Sequence, residues 1–232
     1  MTRILLKVSW EALAWDNWFW YCSESLSYLA KTVKSLLDDW IEVALVVWAW
    51  NLARWWGMSA WIDRVARDSM WMLAIVMNWI AIKENLWNLW IDSELQSSFE
   101  IPWITSRFNK SQSLDMIKSW KVIIFVWGTW NPFFTTDTAC VLRALEMDCD
   151  FVVKATQVDG LYDKDPNKYE DAKFIASSTY SECLEKWYRV MDQTAFALAR
   201  EHNMPLKIVS YSKDWAINNA VKWENEWTTI TN

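Results

Sequence analysis

Glycine is nearly absent from this chain: three residues in 232, Gly57, Gly128 and Gly160, where ordinary usage is about 7%. Histidine is rarer still. The lone His202 sits in the segment EHNMP, read as a helix end, where a solvated surface group is expected and not a catalyst. Chemistry built on histidine pairs or a Ser-His-Asp relay is therefore not expected. Cys22, Cys140, Cys149 and Cys183 are scattered without a CxxC pair, which reads as reduced, structural thiols and not as a metal knuckle or a disulfide scaffold. Lysine and arginine form no basic block, and the net charge is −6 with a pI near 4.9. Nucleic-acid binding as the main task is thereby disfavoured. No run of 18 apolar residues occurs, and the longest candidate, around residues 41–50, is too short to cross a bilayer. The opening MTRILLKVS enters a strand pattern directly, with no charged-then-apolar leader. A cytoplasmic protein with no membrane partner is expected.

What the chain has in excess is tryptophan, 22 residues. An aromatic excess that served packing would fall on strand or helix faces at periods of 2 or 3.6. Here the tryptophans follow punctuation instead: after helices (DDWIEV, KSWKVI), in polar loops (WDNWFW, KDWAIN) and near the end (ENEWTT). These are the places where turn chemistry calls for glycine.

Periodicity predicts alternating strands and helices. Strands are expected over Arg3–Ser9, Ile41–Val47, near Ile91–Leu95, and over Lys121–Val126, Phe151–Lys154, Leu206–Ser210 and Thr228–Thr231. Helices are expected over Ser23–Asp39, within Ile62–Trp90 (one or two), and over Gln112–Ser119, Thr138–Met147, Met191–Glu201 and Trp215–Val221. Met70, Leu73, Val76 and Met77 share one helical face, read as core. This order implies a mainly parallel sheet covered by helices on both faces, a three-layer αβα sandwich. No linker, repeat or low-complexity run divides residues 1–232.

The segments that carry chemistry follow strands, where open α/β sheets place their sites. Lys7 and Ser9 end the first strand; a lysine there suits phosphate charge, although alone it would read as a solvated edge residue. Asn51 and Arg54 follow the second strand, and arginine suits bidentate phosphate binding. GTWNPFFTTDTA, rich in hydroxyls, runs onto a helix N-terminus that favours an anion, with Thr135, Thr136 and Asp137 as caps. KATQVDGLYDKDP is a long polar loop with turn signals at Asp159-Gly160 and Asp165-Pro166, suited to a base and ribose.

In combination these segments resemble the bacterial-type uridylate kinases of the amino acid kinase family, from Arg3 to about Thr231. The residues that carry the resemblance are Lys7-Val8-Ser9-Trp10-Glu11-Ala12-Leu13, Trp48-Ala49-Trp50-Asn51 with Arg54, and Asp68-Ser69-Met70-Trp71-Met72-Leu73-Ala74. They continue in Gly128 to Asp137, Lys154 to Tyr162, and Val190-Met191-Asp192. The departures are one-sided: Trp10, Trp48, Trp50, Trp71 and Trp130 within these motifs, and Trp40, Trp79, Trp120, Trp187, Trp215 and others between them, stand where the family has glycine. For Trp56, Trp87, Trp90, Trp103 and Trp127 the correspondence is left open. A UGA codon decoded as glycine by the cell but rendered as tryptophan would produce this pattern.

The resemblance implies the amino acid kinase fold and transfer of the ATP γ-phosphoryl group to UMP, giving UDP and ADP for pyrimidine nucleotide (CTP and UTP) biosynthesis. It implies catalytic roles for Lys7, Asp137 and Arg54. ATP would meet Lys7, Val8, Ser9, Trp10, Trp50, Arg54, Thr156, Tyr162 and Asp165. UMP would meet Ala49, Asp68, Thr129, Trp130, Asn131, Pro132, Phe133, Phe134, Thr135 and Thr136. The part before about residue 150 would serve UMP mainly, and the part after it ATP. The resemblance further implies Mg²⁺ with ATP, a homohexamer, a GTP activator and a UTP inhibitor. No carboxylate cage dedicated to a metal is visible in the sequence. The alternatives are a relative of the same fold that phosphorylates a carboxylate or carbamate, and a non-catalytic anion-binding protein.

Overall fold

The first strand shows why this sequence builds a two-sided sheet. β1 (Thr2–Ser9) is buried from Ile4 onward, and its side chains go alternately to two different cores. Ile4, Leu6 and Val8 join one hydrophobic cluster and Leu5 the other, as the period of two along a strand requires. β2 (Ile41–Trp48), β5 (Val122–Phe125), β6 (Phe151–Thr156) and β10 (Leu206–Ser210) repeat the device. Near-continuous β-branched runs of this kind are what a strand buried on both faces needs. The computed structural model describes residues 1–9, 23–48, 62–126, 129, 131–188, 190–211, 213, 215–222 and 227–232.

The remaining elements are α1 (Ser23–Asp38), α2 (Arg64–Trp87), β3 (Ser93–Ser97), β4 (Ser106–Arg107), α3 (Lys110–Lys118) and α4 (Thr136–Glu146). They continue with β7 (Leu161–Tyr162), β8 (Phe174–Ile175), β9 (Ser177–Thr179), α5 (Tyr180–Glu185), α6 (Gln193–Glu201), α7 (Ala216–Val221) and β11 (Thr228–Thr231). Nine strands form one sheet in the order β4-β3-β5-β2-β1-β6-β10-β11-β9, and β7 with β8 makes a separate ribbon. Within the large sheet every pairing is parallel except β10 with β11. α1, α2 and α7 cover one face of the sheet, and α3 to α6 cover the other. This is the expected three-layer sandwich.

The expected helix within 62–90 is a single helix, but its buried face is not the expected one. Ile75, Val76, Trp79, Ile82 and Leu86 face the sheet, while Met70, Leu73 and Met77 are exposed, Met77 by 56%. α2 is apolar around most of its circumference, so a stripe at helical spacing could not reveal which side the sheet would take. By length and composition alone α2 would qualify as a membrane-crossing segment; its buried face is packed on the sheet core. The thiols of Cys140, Cys149 and Cys183 are free and buried, and burial pushes Cys140 up to about 12. His202 is exposed at the C-cap of α6, as expected. α5 was not anticipated, although Thr179 and Glu182 form a full capping box at its start.

Gly160 is the glycine among the described residues. A Cβ there would come within 2.4 Å of both the edge of the Phe174 ring and Thr228 Oγ1. The neighbouring Leu161 N–H donates to that same hydroxyl at 2.7 Å. The backbone must pass this close for the β7–β8 ribbon to seat against β11.

Candidate active site

Lys7 and Lys154 are charged side chains buried within the apolar runs of the central strands, as are Glu42 on β2 and Lys207 on β10. β1 and β6 are adjacent and parallel, and their register sets Lys7 directly against Lys154. Both side chains therefore project from the same face, toward α4, about one strand spacing of 4.8 Å apart at the backbone. Two neighbouring ammonium groups in a buried setting require a counter-charge. Asp137, in the first turn of α4, supplies it: its Oδ1 accepts from Lys7 Nζ, and its two oxygens accept from Lys154 Nζ at 2.9 and 3.0 Å. Lys154 also donates to the carbonyl of Val190.

The electrostatics follow from this packing. Burial alone would raise the Asp137 carboxyl, but Lys154 and Lys7 outweigh it and hold the group at about 2. Burial lowers Lys154 to about 8, a fall that Asp137 limits and the charge of Lys7 deepens. The aspartate is thus a fixed anion, and Lys154 titrates within reach of physiological pH.

The N-terminus of α4 is built to hold Asp137 in place. Thr135 is the N-cap and its hydroxyl accepts from the Asp137 N–H at 3.0 Å. Asp192 N-caps α6, accepting from Ala195 N at 2.8 Å. The same carboxylate accepts from the hydroxyls of Thr135 and Thr138, the latter at 3.2 Å. One side chain therefore ties the starts of two helices together. Lys154 and Asp192 lay inside quoted motifs without an assigned role. For Lys154 the available signal was a lone charge in the otherwise apolar FVVKA.

A cavity of about 890 Å³ opens beside the lysine pair, lined among others by Lys7, Ser9, Thr136, Asp137, Lys154, Thr156 and Asp192. A second, of about 450 Å³, is lined by Tyr162, Asp163, Lys164 and Asp165 together with Gly160 and Pro166. Val158, Trp187, Tyr188 and Val190 border both. Thr156 turns the chain into the second cavity, its hydroxyl donating to Val158 O at 2.8 Å and accepting from Val158 N at 3.1 Å. Tyr162 donates to Asp159 at 2.5 Å, and Asp159 also receives Lys213 at 3.0 Å. Both cavities fall within the size range of small-ligand sites.

The expected site residues divide accordingly. Lys7, Ser9, Thr135, Thr136, Asp137 and Thr156 meet around the first cavity, and Tyr162 and Asp165 around the second. Lys7 is not the solvated edge residue that a lone lysine there would suggest, because only 3% of the residue is exposed. Val8 points away, into the core shared with α1, since its strand neighbours Lys7 and Ser9 take the cavity side. Asp68, on α2, accepts from the Phe133 N–H at 2.9 Å and from Arg64 at 2.9 Å. That bond docks α2 on the turn holding Thr129, Asn131, Pro132, Phe133 and Phe134. Within the turn, Asn131 N donates to Thr129 Oγ1 at 3.2 Å, and Arg64 stacks 5.4 Å from the Phe133 ring centroid. Trp10, Ala49, Trp50, Asn51, Arg54 and Trp130 lie outside the described residues.

A metal cage is not part of this arrangement: among the described residues no three His, Cys, Asp or Glu side chains cluster as ligands. The two carboxylates at the larger cavity, Asp137 and Asp192, are already committed to lysines, hydroxyls and a helix cap.

Known proteins match this chain along its length. The sequence profile of the Amino acid kinase family matches residues 86–210. A uridylate kinase from Haemophilus ducreyi is 41% identical over 230 residues, covering 99% of this chain and 97% of its own length. One from Colwellia psychrerythraea is 40% identical, with 99% and 93% covered. Among solved structures, UMP kinase from Bacillus anthracis superposes with a TM-score of 0.95 at 28% identity, covering 99% of this chain and 96% of that one. UMP kinase from Ureaplasma parvum gives 0.92 at 27%, covering 100% and 99%. With a sheet, a lysine–aspartate–lysine cluster and full-length kinship of this kind, the chain belongs to the amino acid kinase family, among its uridylate kinases.

Proposed function

We propose that the protein transfers the γ-phosphoryl group of ATP to UMP, and that the cluster of Lys7, Asp137 and Lys154 is where the transfer occurs. The observation that carries this reading is two ammonium groups held side by side at the mouth of a cavity by one buried carboxylate. Phosphoryl transfer asks a protein mainly for positioning and for cations at the oxygens where charge accumulates. Lys7 and Lys154 supply the cations. Asp137 keeps both amines in place and does not itself touch the phosphate. The N-terminus of α4 adds a favourable field for an anion.

ATP is assigned to the two cavities after β6, with Thr156, Tyr162 and Asp165 along its nucleoside and Lys7, Ser9, Trp10, Trp50 and Arg54 toward its phosphates. UMP is assigned to the side of Ala49, Asp68 and the 129–136 segment, so that the halves of the chain divide the two nucleotides near residue 150. Mg²⁺ would enter on the phosphates of ATP, because the carboxylates at the site are otherwise engaged. The reaction belongs to pyrimidine nucleotide supply in the cytoplasm.

The protein is further assigned a homo-oligomeric state, a hexamer as the family resemblance implies, with GTP as activator and UTP as inhibitor. The exposed stripe of Met70, Leu73, Met77 and Ile80 on α2 supports self-association, since an apolar patch of this kind usually meets a partner.

The assay is ADP release from ATP with UMP, CMP or glutamate as acceptor. Preference for UMP is expected. Turnover of glutamate alone would move the protein to the carboxylate kinases of the same fold, and binding without turnover would make it an anion-binding relative.

A further inference from the structure

Nine residues other than glycine adopt a left-handed backbone among the described residues, and six of them are tryptophans. These are Trp40 (φ 63°), Trp90 (60°), Trp103 (64°), Trp120 (67°), Trp187 (54°) and Trp215 (65°). A bulky L-residue is disfavoured there by contact of its Cβ with the backbone, and glycine is the ordinary occupant.

The surrounding hydrogen bonds show that the conformation belongs to the fold and not to the indole. After α3, Trp120 N donates to Ile117 O at 3.0 Å and Lys121 N to Met116 O at 3.2 Å. After α5, Trp187 N donates to Leu184 O and Tyr188 N to Cys183 O at 3.1 Å. After α2 and its two following residues, Trp90 N donates to Trp87 O at 2.8 Å and Ile91 N to Leu86 O at 3.1 Å. Each is the paired bond of a helix that stops on a left-handed residue, most often glycine and sometimes Asn. α4 and α6 end with the same pair of bonds, through Asp148 (φ 51°) and Asn203 (φ 53°). Those short polar residues tolerate the conformation far better than a bulky aromatic does; Phe133 (φ 74°) is the one other aromatic that adopts it among the described residues.

Five of these six indoles, all but Trp120, are exposed and gain little burial in exchange. Trp103 is fully exposed and Trp90 is 86% exposed; Trp40 and Trp120 meet edge-on at 5.2 Å. Trp79 differs, being buried on an ordinary helical backbone, and carries no such signature.

We infer that glycine, not tryptophan, occupies positions 40, 90, 103, 120, 187 and 215 in the protein as its own cell makes it, and that at position 187 this opens the nucleotide site. Trp187 borders both cavities and is 72% exposed. Trp187 is one of four residues, with Val158, Tyr188 and Val190, that line both the 890 and the 450 Å³ spaces, so glycine there removes part of the wall dividing the cleft. The second half of the inference rests on the assignment of ATP to these cavities; the first half does not.

Peptide masses of the protein purified from its native cells test the first half, with the codons of the gene as a second reading. Glycine masses and UGA codons at the six positions are expected; tryptophan masses there overturn the inference. Independently, the full chain is expressed as written and with all six Trp→Gly substitutions. The substituted chain should melt higher by roughly 10 °C, from six relieved sites in a chain of this size. An equal or lower midpoint would count against the backbone argument. For the site, Trp187→Gly in the full chain should lower the ATP KM several-fold with little change in kcat, while Trp103→Gly, on a remote turn, should leave it unmoved. Equal effects of the two would overturn the claim about the cleft. Absence of turnover in every version, with glycine masses found, would instead reject phosphoryl transfer and leave the glycine assignment standing.

Discussion

Removal of the carboxylate from the lysine pair, by Asp137→Asn, is the change that separates a catalytic cluster from a merely structural one. In the protein two amines face each other across the β1–β6 register, and Asp137 bonds both. At about 3 Å and an effective dielectric near 20, each ion pair is worth about 5 kcal/mol of attraction before desolvation is counted. The net loss on deleting one partner of a buried pair is smaller, about 3–5 kcal/mol. Here Lys154 limits it further. Already lowered to about 8 by burial, it loses the partner that limits the fall and gives up its proton more readily. About 3 kcal/mol of stability should therefore be lost, measured as a shift in the urea midpoint at pH 7.5. The asparagine would keep the shape, but Lys7 would lose its fixed position and Lys154 part of its charge. We expect kcat to fall by about 10²–10³, the cost typical of removing one preorganised electrostatic partner from a transition state. KM for UMP should change little. The sign of the acid dependence also follows. Asp137 is depressed from 3.8 to about 2, so its contribution is complete above about pH 4 and disappears as the pH falls toward 2. Asp137→Asn should therefore flatten the acid limb of stability. A variant with wild-type kcat and an unchanged midpoint would refute the account of the cluster.

Three further outcomes can be measured on the same footing. Burial lowers Lys154 to about 8, so kcat/KM for ATP should decline above that pH as the ammonium is lost. Lys154→Arg, which stays charged, should move the decline upward; an unshifted limb would assign it to another group. Gly160→Ala should cost about 1–3 kcal/mol by overpacking, because its Cβ meets Phe174 and Thr228, and Phe174→Ala should recover part of the loss in thermal melts. Leu73→Glu with Met77→Glu, on the exposed stripe of α2, should lower the mass seen by light scattering without lowering the melting midpoint of the monomer; an unchanged mass would remove that face from any subunit contact.

Much of the layout was legible beforehand because the central strands are buried on both faces and so read as unbroken apolar runs. The spans expected for β10 and β11 are the observed ones, and those for β1, β2 and α1 differ by a residue at an end. The hydroxyl-rich approach to Asp137 announced a capped helix, and Thr135 is that cap. The short elements were not legible. β7, β8 and α5 span two to six residues, too few to establish a period, and only the capping pair Thr179 and Glu182 marked the last of them.

The exposed side of α2 was misread for a related reason. Its apolar residues run almost all the way round the helix, and periodicity names a face only when the opposite side is polar. Trp90 and Trp103, left open by motif correspondence, prove to share the left-handed backbone of the other four.

By itself, then, the sequence determined the alternation of strands and helices, the segments that carry chemistry and the oddity of tryptophan at turns, since each is written in local pattern and residue type. Only the tertiary structure decided that Lys154 stands beside Lys7, that Asp137 joins them and that Asp192 binds two helix starts together. Strand register and helix docking bring residues more than a hundred positions apart within hydrogen-bonding distance, and no local pattern encodes such a meeting.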